Sequence, residues 1–305
     1  MQQVKDGILK QVFPFTVFRT LLLLLPDHAH CYAVSMQNKS SVPRSLKTPI
    51  TYYGGKQKLA GVIVQLIPPH VMYAEPFAGG ATIFFAKPPA KVEVLNDTNR
   101  ELINFYRVVS EKYHDLYKEI RQTLHSRKLY QDAQVVYANP HLFSEVKRAW
   151  AVWVLCNQGF AGKINGGWGY SRNRNILPVL LANKKEQFNE LYAKRLGRVH
   201  LECSDALTVI QRWDSPASFF YCDPPYVGSN CGHYDAYTQN DFEQLLSCLS
   251  KIQGKFLLSS YPSELLTAWT QENNWYTKMI DQTVAVNMGS GRKNKTEVLT
   301  ANYPI

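Results

Sequence analysis

No CxxC pair occurs in the 305 residues, and the six cysteines (Cys31, Cys156, Cys203, Cys222, Cys231 and Cys248) are scattered. That excludes a zinc ribbon or redox dithiol, and in a chain this long it does not read as a disulfide scaffold. Reduced thiols in a cytoplasmic protein are the expectation. The dinucleotide fingerprint GxGxxG is also missing. So is any unbroken stretch of about 20 apolar residues, which argues against a spanning helix. The nearest run, Val12 to Leu25, is broken by Arg19, with Pro14 near its start and Pro26 directly after its end. Lys5 and Lys10 before it give it a resemblance to a targeting segment. Met36 then opens a polar stretch, and residues 1–47 are expected to be a dispensable or disordered leader. No metal-ligand cluster stands out, and no metal is expected. Acidic residues are few, 24 against 34 Lys and Arg, for a formal net charge of +10. Such an excess admits a polyanionic partner without identifying one.

Apolar residues make up 45% of the chain and charged residues 19%, so a buried core is expected rather than wholesale disorder. From Thr48 the pattern is regular. Val71 to Ala74 reads as a strand, a glycine turn follows, and a helix starts near Thr82. Lys91 to Leu95 reads as the next strand and Glu101 to Val109 as a helix. This alternation predicts an α/β doubly wound sheet. Helical periodicity then runs over Tyr113 to Leu129 and Phe143 to Leu155, followed by a Gly- and Asn-rich loop, Asn157 to Asn175. Residues 105–197 carry 15 Lys and Arg against 7 Asp and Glu, most of the net charge. Strand patterns return at Val199 to Cys203, Ser218 to Cys222 and Phe256 to Ser259. The economical description is an α/β domain of residues 48–104 and 198–305 interrupted by a basic helical insertion of residues 105–197.

Two motifs carry chemistry. The first is Glu75-Pro76-Phe77-Ala78-Gly79-Gly80-Ala81-Thr82, between a strand and a helix. Glycines there permit a tight turn and close approach to a ligand, and the helix start offers free N–H groups. Asp97, at the end of the next strand, is placed to accept the ribose hydroxyls of an adenosine-containing cofactor. The second is Asp223-Pro224-Pro225-Tyr226, after the apolar strand Phe219-Phe220-Tyr221-Cys222. The prolines stiffen the backbone and keep the Pro224 carbonyl out of a ladder. That carbonyl and the Asp223 carboxylate can each accept a hydrogen bond from an –NH₂ group, and Tyr226 offers a face for stacking.

Tyr52-Tyr53-Gly54-Gly55-Lys56, the glycine motif, Asp97 and the Asp-Pro-Pro-Tyr motif, in that order, resemble the Dam-type DNA adenine-N6 methyltransferases. The resemblance covers Thr48 to Ile305. It implies a class I methyltransferase, Rossmann-like seven-stranded sheet with an inserted helical target-recognition domain, and S-adenosylmethionine as methyl donor. It places Tyr53 and Lys56 near the methionine end of that cofactor and Asp205 near its adenine. A Ser stands before Asp205, where family members often carry Gly.

The chemistry expected is orientation of an amine toward an activated methyl, with Asp223 stabilising positive charge as it develops on nitrogen. Cytosine C5 methylation requires a cysteine nucleophile, commonly in a Pro-Cys pair, and the chain has none. An adenine in a duplex must be flipped out, with Tyr226 as one face of its site. Arg148, Lys163, Asn165, Arg172, Asn173 and Arg174 in the insertion, and Arg292, Lys293 and Lys295 near the C-terminus, are the candidate contacts to double-stranded DNA. Trp150, Trp153 and Trp168 read as core. A monomer is expected, with a cognate restriction endonuclease as a conceivable partner. The alternatives are methylation of another amino group (cytosine N4, RNA adenine or a protein glutamine) or a DNA-binding regulator without catalysis.

Overall fold

Seven strands form a single sheet in a computed structural model that describes residues 45–227, 237–284 and 293–305. The strands are β1 (Met72–Glu75), β2 (Val92–Asn96), β3 (Val199–Glu202), β4 (Ser218–Cys222), β5 (Lys255–Ser260), β6 (Tyr276–Val284) and β7 (Lys293–Ala301). Their order is β3-β2-β1-β4-β5-β7-β6. The first five run parallel, and β7 is antiparallel to both β5 and β6. This is the seven-stranded Rossmann-like α/β sheet that was expected. Residues 1–44 of the leader and Arg292 lie outside the described residues, and so do the side chains of Lys293 and Lys295. The last residues of the leader are described, the Leu46 N–H donating to the Phe85 carbonyl and the Lys47 carbonyl accepting from the Tyr192 hydroxyl.

Eleven α-helices are described: α1 (Ala60–Leu66), α2 (Thr82–Ala86), α3 (Arg100–Glu111), α4 (Tyr113–Gln122), α5 (Arg127–Ala138), α6 (Glu145–Gln158), α7 (Ile176–Gln187), α8 (Leu191–Leu196), α9 (Ala206–Trp213), α10 (Gln239–Leu249) and α11 (Glu264–Glu272). Strand residues alternate between two apolar layers, as the two-residue period of a strand requires. Tyr73, Leu95, Phe219, Tyr221 and Leu257 face one layer, built with Phe105, Trp150, Trp153 and Tyr192 from the helices of residues 105–197. Met72, Ala74, Val94, Phe220, Cys222 and Phe256 face the other, built with α9, α10 and α11. Both faces are covered, as parallel strands need.

The helix expected over Tyr113 to Leu129 is two helices. Ser126 caps α5 by accepting from the Leu129 N–H, and the link is held by Gln158, which accepts from the Ser126 N–H at 3.1 Å and donates to the Leu124 carbonyl at 3.0 Å. Trp150 and Trp153 are core, as expected. Trp168 is half-buried, stacked on Tyr170 and packed on His125. No helix among the described residues is long and apolar enough to cross a membrane.

Candidate active site

Parallel strands expose their carboxyl ends on one edge of the sheet, and loops there collect ligands. The glycine motif leaves β1 at that edge. Gly79 and Ala81 both have positive φ, 46° and 48°. A Cβ on Gly79 would press on the Tyr52 ring at 3.1 Å, so turn and packing both call for glycine. Asp97, just past β2, accepts the Gly79 N–H at 2.9 Å through one oxygen and the Asn99 N–H at 2.9 Å through the other. Asn96 ties the loops together. Its amide donates to the carbonyls of Pro76 and Ser204 and its oxygen accepts from the Ser204 N–H.

Two cavities flank this edge. The first, about 220 Å³, is lined by Tyr53, Lys56, Glu75, Phe77, Gly79, Gly80, Asp223, Pro224 and Tyr226, all expected from the sequence, and by Tyr52, Tyr221 and Tyr261 among others. The second, about 180 Å³, is lined by Asp97, Asp205, Leu207, Tyr237 and Asp241 among others. Phe77 and Pro225 wall both. Asp205 also caps α9, accepting from the Thr208 N–H at 3.1 Å. The Tyr237 hydroxyl, in the wall of the second cavity, is buried and has no hydrogen-bond partner among the described residues.

Asp223 follows β4 and meets Lys56, whose ammonium lies 2.6 and 2.7 Å from its two carboxylate oxygens. The same ammonium is 3.3 Å from Glu297, a fully buried carboxylate on β7. Burial alone would lower the Lys56 pKa, but the two carboxylates outweigh it and hold the ammonium above its ordinary value. Tyr226 donates to Asp223 at 3.2 Å and also to Glu297. Its ring lies 5.0 Å below the Lys56 ammonium and edge-on to Tyr261. Burial first, then the two carboxylates, keeps the phenol protonated. Glu75 differs. Its carboxyl accepts from the Tyr73 hydroxyl and the Phe84 N–H, yet complete burial raises its pKa to about 8.

The basic loop packs on the segment that leads to Lys56. Thr51 donates through its N–H and hydroxyl to the Asn157 side chain at 3.0 and 3.1 Å, and the Tyr53 N–H donates to the Gly162 carbonyl at 3.2 Å. Lys163 sits 4.5 Å over the Tyr53 ring. Asn165, Arg172, Asn173 and Arg174 are exposed on the loop. Arg148 lies apart from the loop. It pairs bidentately with Glu101 at 2.8 and 2.7 Å, joining α6 to α3, so part of its guanidinium is engaged within the fold. Arg127, not anticipated, lies 4.8 Å from Trp168 and 5.3 Å from Tyr170, so aromatic rings hold its guanidinium. Glu297 was also missed. Its signal was an acidic residue opening the apolar run Val298-Leu299. Among the described residues no group of three or more His, Cys, Asp and Glu could hold a metal ion.

The chain is 27% identical over 273 residues to the type II methyltransferase M1.LlaDCHI of Lactococcus lactis subsp. cremoris, covering 82% of this chain and 93% of that protein. It is 23% identical over 279 residues to the DNA adenine methylase of Escherichia coli (strain K12), covering 84% and 95%. Residues 52–284 match the family of D12 class N6 adenine-specific DNA methyltransferases. A match over that span, enclosing the glycine motif, Asp97 and Asp223, shows that the chain belongs to the D12 class of N6 adenine-specific DNA methyltransferases.

Proposed function

We propose that this chain moves the methyl group of S-adenosylmethionine to the N6 amino group of an adenine flipped out of double-stranded DNA. The observation that carries this reading is that Asp223 and the glycine turn line one cavity, which shares the walls Phe77 and Pro225 with a second. A ligand with a nucleoside at one end and an amino acid at the other fits such a pair. Asp97 and Asp205 would hold its ribose and base, and Tyr237 offers a hydroxyl beside them. The positive-φ turn at Gly79 lets the backbone approach it closely. When bound, the cofactor supplies a methyl group activated on a sulfonium.

The chain's own residues then have an orienting task. Asp223 and the Pro224 carbonyl accept one hydrogen bond each from the amino group, which fixes the direction of its lone pair. Asp223 stabilises positive charge on the nitrogen as the bond forms. Tyr226 stacks on the flipped base. Lys163, Asn165, Arg172, Asn173 and Arg174, joined by Arg127, face the duplex, with phosphate contacts setting position and one or two side chains reading bases. Phe160, 64% exposed on the same turn as Gly162, would fill the gap left by the flipped base. The test is to express the chain in a host without DNA methylation and sequence its genome for modified bases. N6-methyladenine at a recurring site is the expected result. Methylcytosine, or methyl groups confined to RNA, would overturn the reading.

A further inference from the structure

A buried carboxylate beside a working carboxylate calls for an explanation, because like charges at close quarters disfavour each other's ionisation. Glu297 is 1% exposed on β7, beside the strand that carries Ser259 and Ser260. It accepts from the Ser259 hydroxyl at 2.9 Å and from the Tyr226 hydroxyl, and its oxygen lies 3.3 Å from the Lys56 ammonium. Lys56 is much nearer Asp223, where it occupies both oxygens at 2.6 and 2.7 Å. In that arrangement the ammonium covers the acceptor that an incoming amino group needs, and it cancels the negative charge meant for the reacting nitrogen.

We infer that Glu297 is a positioning residue that draws Lys56 off Asp223 when the target amine arrives, leaving the Asp223 carboxylate free to orient it. The inference rests on the proposed amine methylation. Three features fit it. Lys56 already lies between the two carboxylates, so the transfer is a small shift of one ammonium. Ser259 and Tyr226 hold the Glu297 oxygen in place as the receiving point. The Gly54 carbonyl, 3.1 Å from the ammonium, can hold a further proton of Lys56 throughout.

The experiment measures transfer of labelled methyl from S-adenosylmethionine to genomic DNA from a methylation-free host, with cofactor titration and thermal unfolding in parallel. Glu297→Gln keeps the shape and the hydrogen bonds but removes the charge. Its kcat is expected to fall at least about 30-fold, the scale on which losing an oriented electrostatic contact acts, while cofactor affinity stays within about threefold, a fraction of one hydrogen bond. In a Lys56→Met background the same change should be neutral or beneficial, because Glu297 then only repels Asp223. A merely structural Glu297 would instead lower activity equally in both backgrounds, which overturns the inference. Should Lys56→Met fail to fold, Glu297→Asp decides. It keeps the charge and shifts the acceptor, so it must be more active than Glu297→Gln, and the reverse order overturns the inference. A wild-type chain that leaves no N6-methyladenine overturns the adenine reading and this inference together. A wild-type chain that leaves it, with equal losses in both backgrounds, overturns this inference alone.

Discussion

The Lys56 ammonium spans both carboxylate oxygens of Asp223, at 2.6 and 2.7 Å, joining the Tyr52–Lys56 segment to the motif that follows β4. Asp223→Ala therefore removes two things at once. Methylation should fall 100-fold or more, as expected when a key transition-state contact is lost. Stability should also fall, by less than the roughly 3–5 kcal/mol typical of breaking a buried pair, because Glu297 still faces the ammonium. Cofactor binding should survive. A kinetic assay beside a denaturant titration checks both, and turnover within about tenfold of wild type would remove Asp223 from its role.

Glu75 should give stability a pH dependence of definite sign. Its pKa is about 8 in the folded chain because of burial, against 4.5 as the ordinary value. The folded state thus holds a proton that the unfolded chain has released. Stability from this group is complete below about 4.5 and declines as pH rises toward 8. Glu75→Gln should flatten that decline, by an amount on the order of a few kcal/mol. Thermal midpoints of both proteins across this range are the measurement, and parallel curves would show that Glu75 is ionised in the fold.

Tyr237 separates ligand binding from folding. Its hydroxyl is buried and has no partner among the described residues, so Tyr237→Phe should leave stability unchanged or raised. Cofactor affinity should drop about three- to tenfold, the value of one ordinary hydrogen bond. Calorimetric titration without DNA reads it, and unchanged affinity would take Tyr237 out of the site.

The basic residues should divide by what they touch. Arg148→Ala should destabilise the fold through the loss of Glu101 and leave the salt dependence of DNA binding alone. Lys163→Ala should weaken binding to all sequences and reduce the salt slope by about one. A base reader, for which Arg172 and Arg174 are the candidates, should lose about 1–3 kcal/mol at a single base pair. A panel of single-base site variants at several salt concentrations distinguishes these outcomes.

Phe160→Ala should slow methylation of duplex DNA by about tenfold or more, since unstacking a base opposes flipping by a few kcal/mol. The loss should shrink when the target adenine is mispaired, because less stacking and pairing must then be undone. An equal loss on paired and mispaired substrates would assign Phe160 to binding rather than flipping.

The parallel half of the sheet was legible in the sequence because buried strands write apolar runs, as Phe219-Phe220-Tyr221-Cys222 does. The antiparallel pair was not. In β6, Lys278, Asp281 and Gln282 dilute the alternation of an edge strand. The motif residues were legible because glycine and proline report backbone demands directly. The Arg148–Glu101 pair was not legible, because a basic residue in a basic stretch looks the same whether or not it meets a glutamate 47 positions earlier. Glu297 and Arg127 depend on partners distant in sequence, which no local pattern announces.

Gly162 has φ of 71°, and a Cβ there would stand 2.7 Å from the Thr51 carbonyl oxygen. The loop bearing the candidate DNA contacts is thus moulded onto the segment that delivers Lys56 to Asp223. With the loop reading DNA as proposed, recognition and chemistry would not come apart as interchangeable cassettes. A loop transplanted from a relative with a different target would carry its own shape against Thr51 and disturb the segment leading to Lys56. Retargeting the enzyme would then require redesigning residues 51–56 together with the loop, and evolution toward new sites would be expected to change both segments in concert.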